Sequence, residues 1–188
     1  NYIDGGYYGV YLYAGTGTGI ANYGTNIYID SNKITNAYYY SMFLYYTALK
    51  SISNNDISSG TTTKSGYFYG MYSYYCDIER LVNNKIYTRT TMTYGYGISS
   101  AYLNVSSTTN TNAFYANNEI TLAGSSTTYG MYLYYTNVDA INNSIYATSS
   151  SSTVYGIQTY GGSLSYVEKI KNNNIVCLGS SAYPMYIS

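Results

Sequence analysis

The sequence predicts an all-β fold, a parallel β-helix of about six to seven coils of roughly 26–33 residues each. Three observations lead there. A tyrosine-led anchor returns at near-regular intervals, an Asn-x-Ile anchor returns between its copies, and the segments joining them alternate in polarity instead of following a helical period.

The first anchor is a Tyr, a small residue or proline, and then Val, Ile or Met. It occurs at Tyr8-Gly9-Val10, Tyr40-Ser41-Met42, Tyr69-Gly70-Met71, Tyr96-Gly97-Ile98, Tyr129-Gly130-Met131, Tyr155-Gly156-Ile157 and Tyr183-Pro184-Met185. Successive apolar anchors lie 32, 29, 27, 33, 26 and 28 residues apart. The second anchor ends at Ile34, Ile57, Ile86, Ile120, Ile145 and Ile175, and Asn1-Tyr2-Ile3 matches it at the start. Two anchors in step with a drifting spacing describe coils whose loops vary while their strands stay in register.

Each coil then needs two or three short strands. In Met131-Tyr132-Leu133-Tyr134 the Met and Leu fall on one face and the tyrosines on the other. Spaced apolar pairs precede the asparagines: Leu49/Ile52, Ile78/Leu81, Val138/Ile141 and Val167/Ile170. No run of ten or more residues has the Ala, Leu, Glu and Lys content of a helical repeat. Stacked coils bring Val10, Met42, Met71, Ile98, Met131, Ile157 and Met185 into one internal column and the anchor isoleucines into another.

Asparagine suits the bend because it tolerates the left-handed α region. Asn32, Asn55, Asn84, Asn118, Asn143 and Asn173 share a phase, which predicts a ladder of side-chain amides bonded from coil to coil. The residues before the anchor isoleucines run Lys33, Asp56, Lys85, Glu119, Ser144 and Asn174, and their alternating signs fit an outward stacked column. Tyr8, Tyr40, Tyr69, Tyr96, Tyr129, Tyr155 and Tyr183 share another phase. A regular strand places them on the face of the apolar anchor, as a mostly buried aromatic stack, with Tyr11, Phe43, Tyr72, Tyr132 and Tyr186 on the outer face.

The phrase Y-G-[IM]-Y-L … N-N-x-I resembles the right-handed parallel β-helix repeats of pectate-lyase-like folds. It is most similar to β-helix modules of secreted and cell-surface bacterial proteins. The resemblance spans essentially the whole chain, so residues 1–188 read as a single β-helix segment, an interior piece of a longer chain or assembly. Right-handed winding also follows from the general preference of parallel crossovers. The fold hosts lyases, hydrolases, adhesins and passive stalks, so function has to come from a site.

Enzymes of that fold acting on acidic polysaccharides use clustered aspartates, often with calcium and a basic residue. Here the acids Asp4, Asp30, Asp56, Asp77, Glu79, Glu119, Asp139 and Glu168 fall at scattered phases, and Glu79 lies one coil from Lys50, which fits ion pairing. With no histidine there is no Ser-His triad and no usual zinc set. Gly15–Gly19 lacks the lysine and the strand-to-helix setting of a phosphate loop and reads as a connection. Cys76 and Cys177 occupy different phases about three coils apart, beyond the ~7 Å reach of a disulfide, and read as separate thiols. No catalytic, cofactor or metal residue emerges.

Composition narrows the partners. Eight basic and eight acidic residues give zero net charge, which supplies no basic surface for nucleic acid. No apolar run approaches the ~18 residues of a membrane span. Asn104 and Asn142 match the N-glycosylation pattern, Asn104 being the better candidate because Asn142 belongs to the ladder region. Ser/Thr-rich loops after each Asn-x-Ile anchor line one edge and read first as solvated linkers, with an O-glycosylated edge as the sharper alternative. The expected function is a structural segment of an extracellular fibre, stalk or surface adhesin, without catalysis. It is partnered by adjoining coils or its own copies and by covalent glycans. The alternative is a carbohydrate-active or carbohydrate-binding β-helix that uses outward tyrosines as stacking platforms.

Overall fold

The computed structural model describes residues 1–14, 24–61, 66–104, 112–161 and 168–188. The first coil comprises β1 (Tyr2–Asp4), β2 (Tyr8–Tyr13) and β3 (Gly24–Asp30). The second has β4 (Lys33–Thr35), β5 (Tyr40–Tyr45) and β6 (Thr47–Ser53). In the third, β7 (Asp56–Ser58) and β8 (Tyr67–Tyr74) are followed by a split strand, β9 (Asp77–Ile78) and β10 (Arg80–Val82). Then come β11 (Lys85–Tyr87), β12 (Tyr94–Leu103) and β13 (Ala113–Ala116), and next β14 (Glu119–Gly124), β15 (Thr128–Thr136) and β16 (Val138–Ile141). The chain continues with β17 (Ser144–Ser149), β18 (Thr153–Tyr160) and β19 (Glu168–Lys171), and closes with β20 (Asn174–Leu178) and β21 (Ser181–Ile187).

These strands form three parallel sheets wrapped around one core. The isoleucine sheet runs β1-β4-β7-β11-β14-β17-β20, and the tyrosine sheet β2-β5-β8-β12-β15-β18-β21. The third sheet runs β19-β16-β13-β10-β6-β3, with β9 also on β6. Each strand pairs with its counterpart one coil away, the ladder of a parallel β-solenoid.

Register follows the anchors. Val10 pairs with Met42, Met42 with Met71, Met71 with Ile98, Ile98 with Met131, Met131 with Ile157 and Ile157 with Met185. Ile3, Ile34, Ile57, Ile86, Ile120, Ile145 and Ile175 form the matching chain across the core. From Met42 to Ile157 and from Ile34 to Ile145 both columns are at most 1% exposed. A one-residue slip would turn these side chains outward, so the buried columns fix the pairing.

The third sheet fills its column less uniformly: Ile29, Ile52, Leu81, Tyr115, Ala140 and Ile170 succeed one another. Tyr115 is wholly buried and its neighbour one coil on is the small Ala140. Its ring lies opposite the coils where the tyrosine sheet has Ser73 and Ser100 in place of Leu44 and Leu133, and its hydroxyl sits 3.0 Å from the Ser100 hydroxyl. Ser73 Oγ in turn donates to Ser100 Oγ at 2.8 Å. A large residue on one wall offsets small ones on another, and its polar tip is satisfied by their hydroxyls.

The small residue of the first anchor has a steric cause. A Cβ on Gly97 would stand 2.6 Å from the Gly130 carbonyl oxygen and 2.6 Å from Ile120 Cγ2; one on Gly130 would meet the Gly156 oxygen and Ile145 Cγ2 at 2.5 Å. That Cβ direction points into the core, towards the isoleucine column. Gly130 and Met131 are both buried, while Tyr129 and Tyr132 on either side are only half-buried. Strict alternation therefore breaks at the glycine, which decides where the tyrosines go.

Candidate functional site: two columned corners and an aromatic face

The bend between the third sheet and the isoleucine sheet is built by two residues with different tasks. The first takes positive φ: Ser31, Asn54, Asn83, Asn117, Asn142 and Asn172, at 54–59°. The second, the ladder position, does not. The left-handed conformation expected of the ladder asparagines thus belongs to their predecessors, whose side chains point away and are free to vary.

Ladder asparagines Asn32, Asn55, Asn84, Asn118 and Asn143 are buried. Asn84 Nδ2 donates to Asn118 Oδ1 at 3.0 Å and to the Ile52 carbonyl at 2.9 Å. Its own Oδ1 accepts from Asn55 Nδ2 at 2.9 Å and from the Asn55 backbone N–H at 3.1 Å. The pattern repeats between Asn32 and Asn55, Asn118 and Asn143, and Asn143 and Asn173, and Asn1 joins it by donating to Asn32. Each amide is saturated by neighbours above and below, so the buried polar column carries no desolvation penalty.

The bend from the tyrosine sheet to the third sheet solves the same geometry differently. Tyr46, Tyr75, Tyr102 and Tyr135 occupy it at φ 51°, 49°, 54° and 52°. The left-handed region costs an L-residue with a Cβ roughly 1–2 kcal/mol. Their rings stack outside the coil, Tyr46 on Tyr75 at 5.4 Å, Tyr75 on Tyr102 at 4.5 Å and Tyr102 on Tyr135 at 5.6 Å. Inside, the next residues are Thr47, Cys76, Leu103 and Thr136, all buried and with no common chemistry. Thr47 Oγ1 lies 3.4 Å from Cys76 Sγ.

The aromatic stack lies outside the barrel, contrary to the buried position expected from a regular strand. Tyr8, Tyr40, Tyr69, Tyr96, Tyr129 and Tyr155 are half-buried, and Tyr183 is 41% exposed. They lie edge-on to the second column: Tyr8 meets Tyr11 at 4.8 Å, Tyr69 meets Tyr72 at 5.9 Å and Tyr129 meets Tyr132 at 5.4 Å. Both groups therefore share the outer face, because the glycine and the following Met or Ile both turn inward. Along the column the rings lie face to face, 4.5 Å apart and 4° from parallel for Tyr69–Tyr96, and 5.0 Å and 5° for Tyr129–Tyr155. A further column runs Tyr13–Tyr45–Tyr74, is interrupted by Ala101 and resumes as Tyr134–Tyr160.

Crowding holds these phenols neutral. Burial first, then the neighbouring phenol oxygens, push Tyr72 and Tyr129 up from 10.0 to about 12. Tyr40 and Tyr69 are raised for the same reasons.

Charge is kept off this face. None of β2, β5, β8, β12, β15, β18 or β21 contains an Asp, Glu, Lys or Arg. The ion pairs lie on the other two sheets: Lys50 with Glu79, Lys85 with Glu119 at 3.8 Å and Lys169 with Asp139 at 3.3 Å. Lys33 and Lys85 flank Asp56 in register. Asp77 and Glu168 have carboxyls raised by burial, and Glu168 accepts from Thr136 Oγ1 at 2.8 Å. Among the described residues no group of three or more His, Cys, Asp or Glu side chains is placed to hold a metal. Cys76 is buried, Cys177 half-buried, and both are free thiols, pushed up by burial, Cys177 to about 11.

The two glycosylation candidates change places. Asn104 is 5% exposed, and its amide is engaged: Ile78 N–H donates to its Oδ1 at 2.8 Å and its Nδ2 donates to the Ile78 carbonyl at 3.1 Å. Among the described residues β9 pairs only with β6, and the Asn104 side chain meets the N–H and the carbonyl of Ile78. Asn142 is exposed at its bend. Gly15–Gly19 and Val167 lie outside the described residues.

No protein-family model, curated protein or solved structure matches this chain. Its class is set by its own geometry: an all-parallel β-solenoid with an internal asparagine ladder and one aromatic face.

Proposed function

We propose that this chain is a non-catalytic structural segment of an extracellular fibre, stalk or surface adhesin, wound right-handed like the pectate-lyase-like β-helices it resembles. The observation that carries this reading is the orientation of the tyrosine rings. Each ring face in the main column is covered by the ring of the next coil, so the most regular side chains of the surface hold coil to coil. The asparagines are engaged in the same way inside. Adjoining coils or further copies are its partners, and Asn142 with the Ser/Thr edge offers places for glycans.

The width of the aromatic face favours a second reading, carbohydrate binding, but sugar stacking needs open ring faces and this surface offers mainly edges and hydroxyls. Incubating the protein with a panel of acidic and neutral polysaccharides, while following new reducing ends and unsaturated uronates, separates the readings. The structural role predicts no turnover and no retention on any polymer. Release of products would overturn it.

A further inference from the structure

The tyrosine sheet is broad, aromatic and uncharged on all seven strands, while the other two sheets carry the ion pairs. The rings of the tyrosine sheet are half-buried in the middle coils and exposed at the ends, and a contiguous aromatic face of this extent marks an interaction site. With strands ~4.8 Å apart and ~3.3 Å per residue, seven six-residue strands cover a plan area of roughly 600 Å². Ring corrugation raises that towards the ~800 Å² per partner of a stable interface.

The chemistry of the face selects its occupant. A surface without charge gives no purchase to nucleic acid, acidic polysaccharide or an anionic lipid surface. Its rings are stacked on one another, so edges and hydroxyls point out. A phenol hydroxyl both donates and accepts, and a ring edge packs onto another ring edge-to-face, so the surface complements itself. Spacing is the second constraint. The tyrosine columns repeat once per coil, and a partner can meet every row only if it has the same ~4.8 Å rise. A second copy of this chain has that rise by identity.

We propose that the tyrosine sheet docks a second copy of this chain, the two aromatic faces packed one on the other across a two-fold axis. This deepens the structural reading above by naming its lateral partner. An isologous contact of this kind closes at two copies.

The test is sedimentation of the purified chain over a wide concentration range, beside a Tyr74→Lys/Tyr134→Lys double variant. Ala101 holds the same position in the intervening coil, so a coil forms there without an aromatic ring. Like charges on facing copies then oppose docking. The expected result is a monomer–dimer equilibrium that stops at the dimer, weakened at least tenfold in the double variant with its far-ultraviolet dichroism unchanged. Thr121→Lys, exposed on the isoleucine sheet, leaves the dimer intact. A measurement on the unaltered chain covers the case in which the double variant does not fold. Nitration by tetranitromethane should slow at Tyr74 and Tyr134 as concentration rises, and stay constant at Tyr2, Tyr28 and Tyr146, which lie on the other sheets. A monomeric wild type, concentration-independent nitration, or larger species that ignore the lysines would each overturn the pairing. A monomer inert to polysaccharides sinks the pairing alone, whereas a dimer that degrades them sinks the structural role alone.

Discussion

The solenoid turns two kinds of corner with the same backbone conformation and opposite chemistry. At the asparagine corner the left-handed residue is polar and tolerant, and order comes from the next residue, whose buried amide makes four hydrogen bonds in the Asn84 rung. At the tyrosine corner the left-handed residue is strained, and order comes from its own ring, stacked in the open at Tyr46, Tyr75, Tyr102 and Tyr135. One corner is directional and buried. The other is non-directional and lies on the outside of the coil.

Alkali should have the largest effect, and it acts on the tyrosine face between the corners. An unfolded phenol ionises near 10.0, whereas Tyr72 and Tyr129 in the fold are held up at about 12. Between those values the unfolded chain releases protons that the folded chain keeps, so stability is intact below pH 10 and falls as pH rises towards 12. Titration followed by phenolate absorbance and far-ultraviolet dichroism together should show late, steep ionisation that coincides with loss of β structure. Ionisation near 10 with the fold intact would mean the face is open to water throughout.

Next in size is Asn84→Ala, which removes a partner from the Asn55 N–H, from the Ile52 carbonyl and from the amides of Asn55 and Asn118. With about 1–3 kcal/mol for each unsatisfied buried group, partly relieved by water, the loss should be about 4 kcal/mol in urea unfolding. A loss under about 1 kcal/mol would reduce the ladder to a by-product of stacking. Gly97→Ala ranks below it, at about 1–3 kcal/mol, because the methyl group must displace Ile120 and the Gly130 backbone.

The smallest effect is the sharpest comparison. Tyr75→Gly removes both the stack and the left-handed strain, so it should change stability by less than about 1 kcal/mol; Tyr75→Ala removes the stack and keeps the strain, and should be about 1 kcal/mol worse than glycine. At Asn83, exposed and without a ring, glycine should be neutral to within about 0.5 kcal/mol. Equal behaviour of the two corners would mean that the tyrosine rings contribute nothing to the bend.

These differences explain what the sequence could tell. The internal columns and the ladder phase were legible because each is a residue type returning once per coil, and the coil is the unit of pairing. Regular alternation through Gly130 puts Tyr129 on the inner face, whereas Gly130 and Met131 both turn inward where the Ile145 side chain leaves no room for a Cβ. Left-handed tyrosines leave no local mark, since nothing in Tyr74-Tyr75 resembles a turn signal. The buried roles of Asn104 and Tyr115 are hidden for a further reason. Their partners, Ile78 and Ser100, lie on other strands, and the Tyr115 ring meets coils where serine replaces leucine.

The ladder has a sense as well as a column. In every amide-to-amide bond the earlier coil donates and the later coil accepts, from the Asn1–Asn32 bond to the Asn143–Asn173 bond. Side-chain dipoles aligned in this way add along the axis, as peptide dipoles do in a helix. The amide column is therefore polar, with the donor end of each amide-to-amide bond on the earlier coil. An inverted coil would set donor against donor and acceptor against acceptor, so the column reads orientation as well as register.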